Sequence, residues 1–552
     1  MAGESRRVDS NCSPSLDHAR SLFDQHFSNG HNTLPISFSI PAPDTLTPVI
    51  AYLRLTDGAA SEHSSFLLES VLPGSTQGRY SFVGSNPRQV LKIAPGSEDP
   101  LVSLEVVLSS YSLIPLPPAS THLTPPFKGG AVGYVSYDSI YSFERVLQSY
   151  RPAKNDFNIP DAVFIVADTI VVFDHLFGSV NIWSHVKIDS LQDLEAEYAA
   201  AAGRIKELVR KLADTVIPLP NQPSVPVSSE KETVSNVGKA GYQGFVTKLR
   251  DQHILNGDII QAVPSQRLSR KTDLHPFNAY RYLRQVNPSP YMFYVDCVLS
   301  DPSLPSSSSS GKSSVQLVGA SPECLLSISP ERMVTNHAIA GTIRRGATPM
   351  EDASLASELK SSAKDRAEHI MLVDLARNDI NRVCKPETVQ VIDLMEITRF
   401  SHVMHLTSTV QGQLREGLTR FDAFRSIFPA GTVSGAPKIK AMQLIASMES
   451  TCRGVYAGAV GRWNLGKETD ECDTCIAIRT MVFKDGIVYM QAGGGIVWDS
   501  KEEEEYQETV NKLAGNVRAL ERAEEHYAAL HGSDEEPGVQ VTGTQALNGD
   551  AS

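Results

Sequence analysis

Four carboxylates in this chain are spaced as two matched pairs. Asp365 and Glu368 stand three apart in "KDRAEHIMLVDLARND" (Lys364 to Asp379), and Glu505 and Glu508 stand three apart in "DSKEEEEYQETVNKL". On a helix, residues three apart share a face. The first pair is followed by an apolar run (Ile370, Met371, Leu372, Val373, Leu375) expected to enter a core. A carboxylate near a core must be paired, hydrogen-bonded or metal-bound. Four of them together repel unless a hard cation lies between them. All-oxygen ligands suit Mg²⁺, which takes few protein carboxylates and keeps waters or substrate oxygens. The competing reading is that "KEEEE" is only a solvated helix start favoured by the dipole. That reading is adopted for Glu502, Glu503 and Glu504.

Other patterns carry less. "GKSS" at Gly311 lacks the first glycine of a phosphate loop, since position 306 is Ser306. "QAGGGIVW" offers Gly493, Gly494 and Gly495, but the third glycine of a dinucleotide turn would fall at Trp498. The three glycines imply either a tight bend or an anion lying on bare N–H groups. "CDTC" (Cys472 to Cys475) has no second half-site, and it lies in a stretch that reads as a strand, so structural thiols are expected.

The elements that would position these residues mix strands and helices. "RYSFVG", "AVGYVSYD", "AVFIVADTIVVFDH", "DIIQAVPSQRLSR", "PYMFYVDCV", "SVQLVGASPECLLSIS", "RMVTNHAIAGTIRR", "YAGAVGRW", "TCIAIRTMVF" and "IVYMQAGGGIVW" read as strands or strand pairs. Helices are expected at "SLQDLEAEYAAAAGRIKELVRKLAD", "GYQGFVTKLRDQHILNG", "PFNAYRYLRQV" and from about Lys501 to Tyr527. Strands follow one another through short loops, with helices inserted between pairs. This favours an α+β fold of mainly antiparallel sheets with helices packed outside. The expected organisation is a poorly ordered segment over 1–35, an N-terminal regulatory or structural region over 36–216 and a Pro/Ser-rich linker over 217–238. A catalytic region over 239–530 and a disordered tail over 531–552 follow. "LSDPSLPSSSSSGKSS" (299–314) is a low-complexity loop with no role readable from sequence.

A net charge of −13 argues against nucleic acid as a partner, because phosphate binding needs a basic stripe. No apolar leader or membrane-length segment is present, and seven scattered cysteines do not form a disulfide framework. The expected setting is the cytoplasm.

"GASPE", "IAGTIRRG", "AEHIMLVDLARND", "SGAPKIKAM", "AGAVG" and "QAGGGIVWDS…EYQET", in this order, resemble the chorismate-utilising enzymes. Within that family the match is to the anthranilate synthase large-subunit (component I) branch, over roughly Leu67 to the last helix. The resemblance implies two facing antiparallel sheets in a sandwich surrounded by helices, with the site between sheet and helices. It implies Mg²⁺ held by Glu368 and Glu508, with Asp365 and Glu505 acting through water. Asp365 stands where many relatives carry Glu, and its shorter arm suits the outer role.

For the substrate chorismate, a dianion, the resemblance places Gly341 and Thr342 at the ring carboxylate. Arg479, Tyr456 and the N–H groups of Gly493, Gly494 and Gly495 fall at the enolpyruvyl carboxylate. Lys438 is either a further cation or a helix-start lysine in solvent. Glu323 matches the acid that protonates the leaving hydroxyl, and His405 the histidine linked to pyruvate elimination, with His402 a nearby decoy. Gln261 stands where water-activating relatives carry lysine, and Ala340 where aminodeoxychorismate synthases carry lysine. Both favour an amine nucleophile and anthranilate.

"LLES" and "NPSPYMF" match the family's tryptophan site, implicating Glu69, Ser70, Asn287, Pro290, Tyr291 and Met292 in feedback inhibition. No amidotransferase nucleophile is apparent, so ammonia is expected from a separate glutamine amidotransferase subunit. The alternatives are an aminodeoxychorismate or isochorismate synthase, or an inactive tryptophan-binding relative.

Overall fold

Apolar runs that read as single strands break where they pass from one sheet to the other in the computed structural model, which describes residues 12–60, 62–71, 78–115, 124–223, 233–299, 313–400 and 403–532. "AVFIVADTIVVFDH" forms strands Ala162–Ala167 and Thr169–Asp174, in different sheets. Asp168 lies between them, buried and held by Arg88 and Arg204. The same crossing divides Ser314–Ser321 from Cys324–Ile328, and Cys472–Ile476 from Thr480–Lys484.

Among the described residues, one sheet has eleven strands. In spatial order they are Thr33–Pro41, Ser179–Lys187, Thr169–Asp174, Tyr80–Gly84, Ser65–Glu69, Tyr291–Val298, Ser314–Ser321, Thr480–Lys484, Ile487–Gly493, Ser265–Lys271 and Val234–Ser235. The other has nine: Gln390–Arg399, Val403–Gln413, Met333–Arg344, Cys324–Ile328, Cys472–Ile476, Ala459–Asn464, Gly130–Val135, Ala162–Ala167 and Gln89–Ile93. Neighbouring strands pair antiparallel throughout both sheets, as at Ser265↔Gly493 and Cys324↔Cys475. Phe66, Phe293, Val295 and Leu317 from one sheet meet Val132, Tyr134, Ile165 and Val460 from the other in a shared core. This is the expected α+β sandwich.

Helices Pro48–Leu55, Leu194–Leu212, Pro276–Val286 and Glu502–Gly532 contribute to the core outside the eleven-stranded sheet. Helices Pro100–Ser109, Ala363–Asn381, Arg420–Ile427 and Lys438–Glu449 do so outside the nine-stranded one. Ala363–Asn381 starts at Ser362, whose hydroxyl accepts the Asp365 N–H and so caps the helix. Its inward face is Leu372, Val373, Ala376 and Ile380; Ile370, expected in the core, is 53% exposed.

Three expectations change. Residues 12–35 are not poorly ordered: Leu16–His26 is a helix whose Ala19, Leu22 and Phe23 are buried, and Thr33–Pro41 is an edge strand. The i, i+3, i+4 apolar spacing outweighs the polar composition around it. "DIIQAVPSQRLSR" is not one strand. Gln261–Ala262 pairs with Gly435–Ala436, and Ser265–Lys271 joins the large sheet after Pro264, which cannot donate to a ladder. The boundary near 217–238 does not separate two cores, because strands from both sides of it alternate within each sheet. Most of the Ser-rich loop, His402 and residues 533–552 lie outside the described residues.

Candidate active site

The turn Gly493–Gly495, at the end of strand Ile487–Gly493, is where the two acidic helices meet. A β-carbon at Gly494 would lie 3.1 Å from Glu505 Oε2 and 3.8 Å from Glu508 Oε1. One at Gly495 would lie 2.1 Å from Gln261 Nε2, closer than a β-carbon tolerates, and 3.3 Å from Glu368 Oε1. The glycines are therefore required for the two carboxylate groups to approach the backbone and each other. The pairs share this site although 137 residues separate Glu368 from Glu505 in the chain.

Each acid has a partner that orients it. Gln261 Nε2 donates to Glu368 Oε1 at 2.8 Å. Ser500 Oγ donates to Glu505 Oε1 at 2.6 Å. The Ser362 hydroxyl donates to Asp365, closing the helix cap. Lys512, one turn beyond Glu508, pairs with Glu508 Oε1 at 2.6 Å and donates to the Gly493 carbonyl at 2.9 Å. Burial raises the Glu368 and Glu505 carboxyls above their ordinary range. Repulsion from Glu508 adds to both, while the Gln261 and Ser500 hydrogen bonds oppose it. Glu505 Oε2 is buried without a hydrogen-bond partner.

That orphaned oxygen and the all-carboxylate donor set fit a hard divalent cation. Among the described residues, no three acids already converge on one ligating point. Glu368 and Glu508 are instead held apart on Gln261 and Lys512.

Glu323 sits where the chain leaves one sheet for the other, so its carboxyl is carried into the interior by the crossing itself. Thr432 Oγ1 donates to its Oε1 at 3.0 Å. Burial outweighs that bond and pushes the carboxyl up to about 8, so it is largely protonated at neutral pH. His405 Nδ1 faces the Gly341 carbonyl at 3.1 Å and Thr342 Oγ1 at 3.0 Å. Burial pulls its ring down to about 4. The imidazole is therefore neutral, and with Nδ1–H donated to Gly341 its Nε2 lone pair is free. Gly341 is left-handed (φ 65°) at an irregularity in the pairing of Met333–Arg344 with Val403–Gln413.

Arg479 lies at the return crossing with φ 53°, its Nη1 donating to the Lys512 carbonyl at 3.1 Å. Tyr456 is buried beside Gly493, 3.1 Å from where a β-carbon there would sit, and burial pushes its hydroxyl up to about 12. The Lys512 charge acts on Glu323, Glu368, Glu505 and His405, which ties the acid, the histidine and the carboxylate pairs into one site.

Lys438 is neither in solvent nor free for an anion: its ammonium donates to Asp379 Oδ2 at 2.6 Å and to the Ile427 carbonyl at 3.0 Å. Cys472 and Cys475 lie buried in a strand, their thiols pushed up to about 12 by burial. Three residues of the site escaped the sequence reading. Lys512 was findable from its four-residue spacing to Glu508. Tyr242, whose hydroxyl accepts the Gly494 N–H at 3.0 Å, and Thr432 have no local signal.

A separate cavity of about 660 Å³ opens between the sheets, and Glu69, Ser70, Pro290, Tyr291 and Met292 all line it. Asn287 does not; it caps helix Pro276–Val286. Glu69 is buried and held by Tyr280 at 2.6 Å and Arg284 at 2.8 Å. Pro322 and Cys324, on either side of Glu323, form part of the wall, as does Phe400, whose ring meets His405 edge-on at 5.3 Å.

The chain belongs to the family of chorismate binding enzymes, whose family model matches residues 69–518. It is 51% identical over 515 residues to the probable anthranilate synthase component 1 of Schizosaccharomyces pombe, covering 93% of this chain and 98% of that protein. It is 48% identical over 524 residues to anthranilate synthase component 1 of Saccharomyces cerevisiae, covering 94% and 98%. The crystal structure of anthranilate synthase component I from Streptococcus pneumoniae superposes with a TM-score of 0.66 at 36% identity, covering 86% of this chain and 98% of that one.

Proposed function

We propose that this chain acts as an anthranilate synthase component I. It converts chorismate and ammonia to anthranilate and pyruvate, the first step towards tryptophan, and tryptophan inhibits it. The observation that carries the reading is Glu323. A buried carboxyl raised to about 8 and aimed by Thr432 is an acid able to protonate a leaving hydroxyl at neutral pH.

Mg²⁺ is the expected cation, with Glu368 and Glu508 holding it directly and Asp365 and Glu505 through water. When bound, the ion neutralises the facing acids and the ring carboxylate of the substrate. The chain's own groups do the rest. Arg479, Tyr456 and the N–H groups of the glycine turn grip the enolpyruvyl carboxylate, and Gly341 and Thr342 seat the ring. Glu323 delivers its proton to the C4 oxygen as ammonia bonds to C2, so the hydroxyl leaves as water. The neutral His405 offers Nε2 to the C2 proton as the ring aromatises and pyruvate departs. Gln261 has no basic atom with which to activate water, and its amide is engaged by Glu368. That favours an amine nucleophile. Ammonia is expected from a partner glutamine amidotransferase.

The test is an assay of the purified chain with chorismate, Mg²⁺ and either ammonium or glutamine, with chromatographic product identification. Anthranilate from ammonium, and from glutamine only when the amidotransferase subunit is added, is expected. Isochorismate, or 4-amino-4-deoxychorismate as the final product, overturns the assignment.

A further inference from the structure

A buried ion pair lies behind the candidate site. Arg453 and Glu449, in Lys438–Glu449 and the turn after it, have side chains 1% and 6% exposed. Arg453 Nε and Nη2 grip the two oxygens of Glu449 at 2.8 and 2.6 Å. A buried ion pair is not a cheap way to hold a fold, because desolvation consumes most of the attraction and an apolar pair of similar volume does as well. What distinguishes this pair is where its remaining hydrogen bonds go.

Arg453 Nη1 donates to the Val433 carbonyl at 3.0 Å, at the end of the Gly431–Val433 turn that carries Thr432, the donor to Glu323. Arg453 Nη2 donates to the Val263 carbonyl at 2.7 Å, two residues past Gln261, which holds Glu368. Glu449 Oε1 accepts from both the N–H and the hydroxyl of Ser265, at 2.8 and 2.9 Å. Ser265 is the register partner of Gly493, the first glycine of the turn. The Arg453 guanidinium also lies 5.5 Å from the centre of the Tyr456 ring.

We propose that the buried Arg453–Glu449 pair is a positioning unit for the reaction, fixing the acid-bearing turn, the Gln261 segment and the glycine cradle in one register. The inference rests on the functional reading above, since it takes Glu323, Glu368 and the glycine turn to be the reacting site. Planar fork geometry is essential to it. One guanidinium reaches a carboxylate and two backbone carbonyls at fixed angles, which a single ammonium cannot do. Neither residue touches the reacting atoms.

The experiment compares Arg453→Lys and the double variant Glu449→Leu/Arg453→Met with the parent chain, in ammonium-dependent turnover and thermal melting. Parent turnover to anthranilate tests the functional reading by itself; the ratio of variant to parent tests the positioning unit. Arg453→Lys keeps the charge pair and is expected to melt nearer the parent than the double variant, which leaves the Val263 and Val433 carbonyls and the Ser265 N–H and hydroxyl without these partners. Their kcat is expected to fall by about 10- to 100-fold, the scale of a sub-ångström misplacement of catalytic groups. KM for chorismate is expected to rise several-fold as the cradle loosens. The basic limb of the pH–rate profile should move upward as Thr432 releases Glu323. Lys512, His337 and Asp379, the other charged or titratable groups about Glu323, are unchanged in both variants. Loss of folded protein alone would scale the maximal rate and leave KM and the limb in place. Should the double variant not fold, Arg453→Lys decides by the same readouts. A folded variant with kcat within twofold of the parent and an unmoved limb overturns the proposal.

Discussion

Three carboxyls of the site are tuned differently by their surroundings. Burial of Glu323 outweighs the Thr432 hydroxyl, the Ile339 N–H and the Lys512 charge, which all favour its ionised form, so its proton stays on. Glu368 and Glu505 are also raised by burial, but each faces another acid, so a cation is what would relieve them. Under the proposed function this would divide their labour between proton donor and ligand. The rate is expected to follow a bell in pH. It rises as His405 loses its proton near about 4 and falls as Glu323 loses its own near about 8, read from kcat/KM across pH. Glu323→Gln should cost about 10²- to 10⁴-fold in turnover. Its stability change has a definite sign. The folded state holds the Glu323 proton more tightly than the unfolded chain, so this stabilisation is complete below the ordinary carboxylate pKa and lost as pH rises to about 8. A neutral glutamine escapes that loss, so the variant should melt at or above the parent temperature at pH 8. A lower melting temperature with retained activity would contradict the role given to Glu323. Glu368→Gln should likewise abolish turnover without lowering the melting temperature, since it removes a carboxylate that burial and Glu508 both disfavour. Retained turnover with unchanged Mg²⁺ dependence would remove Glu368 from the ligand set.

At the scale of elements, the sheet crossings do the positioning. Glu323 and Arg479 both stand where a run of strand residues changes sheet, the places at which a polar side chain can enter the interior without interrupting a ladder. The alternation and apolar content of those runs were legible in the sequence, because they follow from pleat geometry. Their breaks were not, since nothing local in "SVQLVGASPECLLSIS" says that its two halves pair with different partners. The acid pairs were legible for the same reason that Lys512 could have been: helical spacing is local. Thr432, Tyr242 and the commitment of Lys438 to Asp379 depend on contacts between distant segments, which spacing cannot reveal. The glycine turn joins the two kinds of information. Gly495→Ala should drive a methyl group against Gln261, displace it from Glu368 and lower kcat/KM for chorismate at least about 10-fold. Gly203→Ala, at a glycine with open space around it and, like Gly495, no left-handed backbone, is the control for exchanging a glycine alone. Equal losses in the two would show that crowding at Gln261 is not the cause.

Across the whole molecule, strands from both ends of the chain interleave in each sheet, so no boundary separates a regulatory part from a catalytic one. The cavity between the sheets makes that mixing consequential. Its wall joins Glu69 and Ser70 from early in the chain to Pro290 and Tyr291 from the middle. It also includes Pro322 and Cys324 flanking the candidate acid, and Phe400 against the candidate histidine. A ligand seated there would bear on both candidate groups from a separate cavity, which is the condition for inhibition from a distinct site. At about 660 Å³ the cavity has room for an indole amino acid. Tryptophan should therefore inhibit turnover and, because it binds only the folded chain, raise the melting temperature by an amount that grows with its concentration. Ser70→Phe places a ring in the cavity at a residue remote from Glu323 in sequence and outside the set assigned to chorismate. It should weaken inhibition at least about 10-fold, abolish the tryptophan-dependent rise in melting temperature and leave the uninhibited kcat within about twofold, in line with a coupling free energy carried by one ligand's contacts. A variant that is still inhibited, or that loses inhibition and turnover together, would place the tryptophan response somewhere other than this cavity.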